Sequence, residues 1–239
     1  MTIKLEVSDR SKIYDLAYKA TDLSGVLFDA ARGIGQLEGT RYPQVDTLDI
    51  GIRYIDVMAG MRNRLHDGIA RRYHAEARGN QSAPRLSVMV NDASSDVVDF
   101  WRQYYVQCAR HNFEGFAGDV SGLPMEDVWA RVATVGYGLS TMGEGQAQVA
   151  LEALHTSIAD EGRLVIIDWG VGRQMKDAVA EAIMENPPIP LPEGRVPYVM
   201  DSGELQRAVH MAGFNIRMMI GTGTENDNVS TLILAADKR

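Results

Sequence analysis

The chain has 239 residues, 45% of them hydrophobic, and a formal net charge of −8. That length and apolar fraction suit one α/β domain with a sizeable core, and the acidic balance argues against a nucleic-acid surface, which would be basic. A single cysteine, Cys108, excludes an intramolecular disulfide; no metal-ligand spacing of Cys or His occurs, and no apolar run is long enough to span a bilayer. The start, Met1-Thr2-Ile3-Lys4-Leu5-Glu6, carries no apolar signal core, so a cytoplasmic protein is expected. Peripheral membrane contact and a homo-oligomer remain open.

Residues 11–38 read mainly as helix, with Ile13, Leu16, Ala17 and Ala20 at helical spacing. Gly33, Gly35 and Gly39 break the pattern, and Arg41-Tyr42-Pro43 marks a loop. The spacing then predicts five strands, over 52–58, 86–91, 113–117, 131–136 and 164–168. Helices are expected between them over 63–77, 95–110 and 144–159. Strands alternating with helices imply parallel β-α-β units with right-handed crossovers. The six arginines Arg62, Arg64, Arg71, Arg72, Arg78 and Arg85 read as a solvated helix face.

The end of the chain changes rhythm. Asn186-Pro187-Pro188-Ile189-Pro190-Leu191-Pro192 suits neither a helix nor a central strand. A helix over 202–212 is expected next, stopped by Gly213. Apolar runs at 214–220 and 229–235, separated by a turn-rich segment, predict an antiparallel hairpin. His155 and His111 read as packing and surface residues. Trp101, Tyr104 and Tyr105 read as core or interface, and Met200, Met218 and Met219 as gap-fillers.

Ligands of open α/β sheets bind beyond the carboxyl ends of the strands, so the residues following each strand carry the functional signal. After the first comes Asp56-Val57-Met58-Ala59-Gly60-Met61-Arg62, in which Gly60 lets backbone approach a ligand. After the second comes Asn91-Asp92-Ala93-Ser94. Asp92 suits ribose hydroxyls, with a cap or turn role as the plain alternative. After the third comes Gly118-Asp119-Val120-Ser121-Gly122-Leu123-Pro124, in which Asp119 has a turn-forming role as its plain reading. The fourth ends in Tyr137-Gly138-Leu139-Ser140-Thr141, and the fifth in Ile166-Ile167-Asp168-Trp169.

Together these motifs resemble the class I S-adenosylmethionine (SAM) methyltransferases, most closely the ubiquinone/menaquinone C-methyltransferase group. The similarity covers about 11–235. Gly118-Asp119-Val120-Ser121-Gly122-Leu123-Pro124 is similar to that family's Gly-Asp-Ala-x-x-Leu-Pro, and Tyr137-Gly138-Leu139-Ser140-Thr141 to its Phe-Gly-Leu-Arg-Asn. Residues 56–62 resemble its Asp-x-Gly-x-Gly-x-Gly, with Met58 at the first glycine position and Arg62 at the third. Leu48-Asp49-Ile50-Gly51 is a secondary match to the same motif. The long interval from Asp56 to Asp92 is attributed to a loop-like insertion over 76–84.

The resemblance implies a doubly wound, mostly parallel, seven-stranded Rossmann-like sheet with a C-terminal antiparallel hairpin. It implies one domain over 1–239, with a helical lid over 1–45 and the core over 46–239. It further implies SAM as cofactor, held by Asp56, Gly60, Arg62, Asp92, Ala93, Asp119, Val120 and Tyr137, and a small aromatic or lipid-like acceptor facing Tyr137 and Ser140 as catalytic residues. Arg62 would either fill the space of the methionine moiety or pair with its carboxylate. The proline-rich stretch would cover the acceptor. Because Met58 and Arg62 depart from the glycine motif, a methyltransferase-like protein that has lost methyl transfer stands as the alternative.

Overall fold

Short runs rich in Val and Ile, bounded by turn formers, fit a pleated surface and set the strands. The computed structural model describes residues 53–57, 87–108, 112–123, 130–143, 145–185, 194, 196–222 and 229–238. The expectations for 1–45, 63–77, 76–84 and 186–192 lie outside the described residues, as do Met58, Gly60 and Arg62.

The described strands are β1 (Arg53–Val57), β2 (Ser87–Asp92), β3 (Asn112–Ala117), β4 (Ala130–Gly136), β5 (Ile158–Val171), β6 (Phe214–Thr222) and β7 (Val229–Lys238). They lie in the order β3-β2-β1-β4-β5-β7-β6. The pairs from β3 through β5 are parallel, and β7 is antiparallel to both β5 and β6. The helices are α1 (Ser95–Cys108), α2 (Gln146–Ser157), α3 (Lys176–Glu185) and α4 (Ser202–Met211).

The alternation of side chains along a strand divides the core in two. On one face Val88, Val90, Val165, Ile167 and Trp169 pack with Val97 and Trp101 of α1 and with Val179 and Ile183 of α3. On the other, Met89, Val135, Leu164, Ile166 and Leu234 pack with Leu151 and Leu154 of α2 and with Leu205 and Val209 of α4. A strand covered on both sides is mostly apolar, and 162–169 is buried throughout, with Arg163 and Asp168 as its charged residues.

Two elements differ from the sequence expectation. The helix expected to reach 159 stops at Ser157, because Ile158 turns to extended backbone (φ −90°, ψ 138°) and pairs with Ala130. β5 therefore begins six residues earlier than the periodicity predicts, with Glu161 at a positive φ of 63° in the added stretch. Helix α3 was not expected at all. Ala178, Val179, Ala182 and Ile183 recur at helical spacing and are buried, and the preceding turn Arg173–Met175 leads into it.

α4 starts with a capping box: Glu204 N–H donates to the Asp201 carboxylate (2.8 Å), and Asp201 N–H donates to the Glu204 carboxylate (3.0 Å). Lys176 also pairs with Glu204, which joins the start of α3 to that of α4. His155 is half-buried, edge-on to Phe214 with centroids 5.0 Å apart, and burial lowers its pKa. A Cβ at Gly213 would come within 2.8 Å of His155 Nε2, so this histidine packs against a glycine that must stay a glycine.

Asp237 ties three strands together. Its carboxylate accepts from Arg163 Nε of β5 at 2.6 Å and from Arg217 Nε of β6 at 2.8 Å. The Arg163 side chain is buried, whereas that of Arg217 is exposed. Removing one partner of a buried pair leaves the other charge poorly compensated. Asp237→Ala should therefore lower stability by about 3 kcal/mol, and Arg217→Ala by less than about 1 kcal/mol. Urea-unfolding midpoints distinguish the two.

Candidate functional site

The chain runs from β1 outward to β2 and β3, then returns to place β4 and β5 on the other side of β1. Such a reversal of strand order opens a crevice beyond the carboxyl ends of the two central strands, here β1 and β4. The last residues of β2, the turns after β3 and β4, and Asp168 of β5 lie at this end of the sheet.

Asp92 and Asp119 belong to this set. Asp92 Oδ1 accepts from Ser94 N–H at 2.9 Å, while its carbonyl accepts from Gly118 N–H at 2.9 Å. Asn91 Nδ2 donates to the carbonyls of Phe116 (3.3 Å) and Gly118 (3.0 Å). These bonds fasten the end of β2 to the end of β3. Gly118 sits at φ 150°, and a Cβ there would approach the Phe116 ring to 3.2 Å. Asp119 caps the short turn Val120–Gly122, accepting from Ser121 N–H (3.1 Å) and Ser121 Oγ (2.9 Å). Ala93 and Asp119 are exposed, whereas Val120 is buried in the core face shared with α2. One oxygen of each carboxylate thus shapes its own turn, so the turn-forming role is present in both residues. Asp56 lies on β1 at the pairing position of Val90 and Thr134.

After β4 the chain makes a buried turn, Leu139–Thr141. Tyr137, expected to face the acceptor, occupies left-handed backbone (φ 56°) and points its side chain inward. Its hydroxyl shares a 2.9 Å hydrogen bond with Thr231 Oγ1 of β7, and its ring lies 4.9 Å from that of Trp169. Burial raises the phenol pKa, with the Thr231 hydrogen bond working against it, so Tyr137 is a neutral group at physiological pH. Ser140, the other expected catalytic residue, is 2% exposed, and its hydroxyl donates to Asp168.

Asp168 is the residue that motif reading did not single out. It lies on β5, and its carboxylate accepts from Ser140 Oγ, from Ser140 N–H at 3.2 Å and from Trp169 N–H at 2.8 Å. Burial raises its pKa to about 6, against the lowering effect of the three donors. The signal in the sequence is an acid ending an otherwise apolar strand. Beside it, the Trp169 indole Nε1–H is buried without a hydrogen-bond partner.

The segment that follows the prolines returns to this end of the sheet. Tyr198 N–H donates to the carbonyl of Met142, just past the β4 turn, at 3.0 Å. Val199 and Met200 enter the two core faces. Among the described residues, no cluster of three metal-ligating side chains occurs, and no helix is long and apolar enough to cross a membrane.

At the level of sequence, no family model and no curated protein matches the chain. Solved structures do. A SAM-dependent methyltransferase from Methanosarcina mazei aligns at TM-score 0.58 and 14% identity, over 82% of this chain and 97% of that one. Geranyl diphosphate methyltransferase, solved with GPP and sinefungin, aligns at TM-score 0.66 and 10% identity, over 91% and 78%. The [4+2]-cyclase SpnF aligns at TM-score 0.59 and 14% identity, over 80% and 76%.

A carboxyl group whose pKa is raised on folding binds its proton more tightly in the native state. Asp168 therefore contributes most to stability below its unfolded value of 3.8, and that contribution declines as the pH rises to about 6. In Asp168→Asn this part of the pH dependence should vanish. Urea midpoints of both proteins, measured at intervals from pH 4 to 8, give the comparison. The geometry and the structural matches together establish an α/β fold of the SAM-dependent methyltransferase type.

Proposed function

We propose that the chain binds SAM and transfers its methyl group to a small aromatic or lipid-like acceptor in a cytoplasmic setting. The observation that carries this is the joining of the β2 and β3 ends, which brings Asp92 and the Gly118-Asp119-Val120 turn together beside the β1–β4 crevice. Two acids and a tight backbone turn are the acceptors and amides that ribose hydroxyls and an adenine ring require. Asp56, Gly60, Arg62, Asp92, Ala93, Asp119, Val120 and Tyr137 would hold the cofactor, in one domain whose first 45 residues close over it as a lid. The sulfonium supplies an activated methyl group. The protein's part is to orient the acceptor and exclude water. Ser140 and Tyr137 would fix the wall behind the acceptor through Asp168 and Thr231.

A second reading is favoured by Met58 and Arg62, which replace two glycines of the resembling motif. In it the same pocket serves another reaction, or none. The fold tolerates this, since SpnF is described as a [4+2]-cyclase.

Titration calorimetry with SAM and S-adenosylhomocysteine (SAH) separates the two. Binding in the micromolar to sub-millimolar range is expected, and a folded protein that gives no heat at millimolar ligand rules the cofactor out. Asp92→Ala should weaken binding by about 1.5–3 kcal/mol, the scale of hydrogen bonds to a charged acceptor. Arg62→Gly should weaken it as well, by removing a charge-assisted pair with the ligand carboxylate. A gain in binding would make Arg62 a plug and support the second reading.

A further inference from the structure

The buried Asp168 carboxylate is not used by the cofactor contacts above, yet it stands at the carboxyl end of the sheet next to the β4 turn. Three donors satisfy it, Ser140 Oγ, Ser140 N–H and Trp169 N–H, and all three are uncharged. Among the described residues no lysine, arginine or histidine pairs with it. Its partner across the sheet is Leu232 of β7, and Thr231 faces the adjacent Trp169. Among the described residues, the ionisable group acting on it from the β4 side is Tyr137, which burial keeps neutral. Asp168 is 3% exposed. A buried anion held, among the described residues, by dipoles alone keeps its charge available to a cation nearby, because little water screens it.

Buried anions are costly, so such a group calls for a compensating positive charge. SAM and SAH differ by one methyl group and one positive charge, and share every hydroxyl, amino and carboxylate group. The β4 turn that Asp168 braces ends the strand beside the β1–β4 crevice.

We propose that Asp168, fixed by Ser140 and the Trp169 amide, is a charge-selective element that favours the cationic methyl donor over its neutral thioether product. This rests on the SAM reading and goes beyond it: the residue sets which of the two ligands the protein prefers. Asp168 is a positioning and selectivity residue, with no bond to the reacting atoms. Preference for the donor would speed release of the spent product.

The test is the ratio of SAH to SAM dissociation constants by calorimetry, which cancels every group the ligands share. Opposite charges about 10 Å apart at an effective dielectric near 20 correspond to roughly a 10-fold preference. At pH 7.5 the unaltered protein should therefore favour SAM about 10-fold. As the pH falls to 5 and the carboxyl takes up its proton, with a pKa of about 6, the preference should shrink to within about 2-fold. Asp168→Asn should show that reduced ratio at every pH. Ser140→Ala removes one donor from the ionised form, so its half-way pH should move upward. If both ligands bind and the ratio responds neither to pH nor to Asp168→Asn, the proposal is overturned while the cofactor reading stands. If neither ligand binds, both fall. Should Asp168→Asn fail to fold, the pH series on the unaltered protein decides alone.

Discussion

The structure depends on burying β5 on both faces. It lies between a parallel and an antiparallel neighbour, β4 and β7, with α1 and α3 on one side and α2 and α4 on the other. Over 162–169 this strand is buried throughout, so the polar residues there must find partners within the fold. Arg163 near its start finds Asp237, and Asp168 near its end finds Ser140 and the Trp169 amide. Each of these polar residues therefore fixes a neighbouring element: Arg163 locks the hairpin at one end of the sheet, and Asp168 locks the β4 turn at the other.

The same arrangement ties down the turn after β4. Tyr137, Ser140 and Thr141 follow β4 in a turn whose side chains all point into protein and bond to Thr231, Asp168 and the Gly138 carbonyl. The wall of the crevice is presented by backbone with its side chains committed behind it. Trp169 is the exception, since its indole N–H is enclosed and unpaired.

Much of the fold was legible in the chain. The alternation of apolar runs with helical segments gave the parallel units, and the last two apolar runs gave the hairpin. The misses have local causes. Ile158 reads equally well as the last helical residue or the first of a strand, and only its pairing with Ala130 decides it. Helix α3 follows a glycine and a long apolar strand, which hid its own spacing of Ala178, Val179, Ala182 and Ile183. At the candidate site, Asp92 and Asp119 were visible as acids after strands. Asp168 was passed over because no motif marks it.

The sequence by itself determined the order and type of most elements, and the side of the sheet on which acids and glycines gather. Those are consequences of local periodicity and turn chemistry, which act over a few residues. Only the tertiary structure decided what each polar group does. Ser140 and Asp168 are 28 residues apart, and Tyr137 and Thr231 are 94 apart. No local pattern couples such pairs. The sheet brings them together because its strand order places β5 between β4 and β7, and burial then makes any polar group at those positions bond to the nearest partner available.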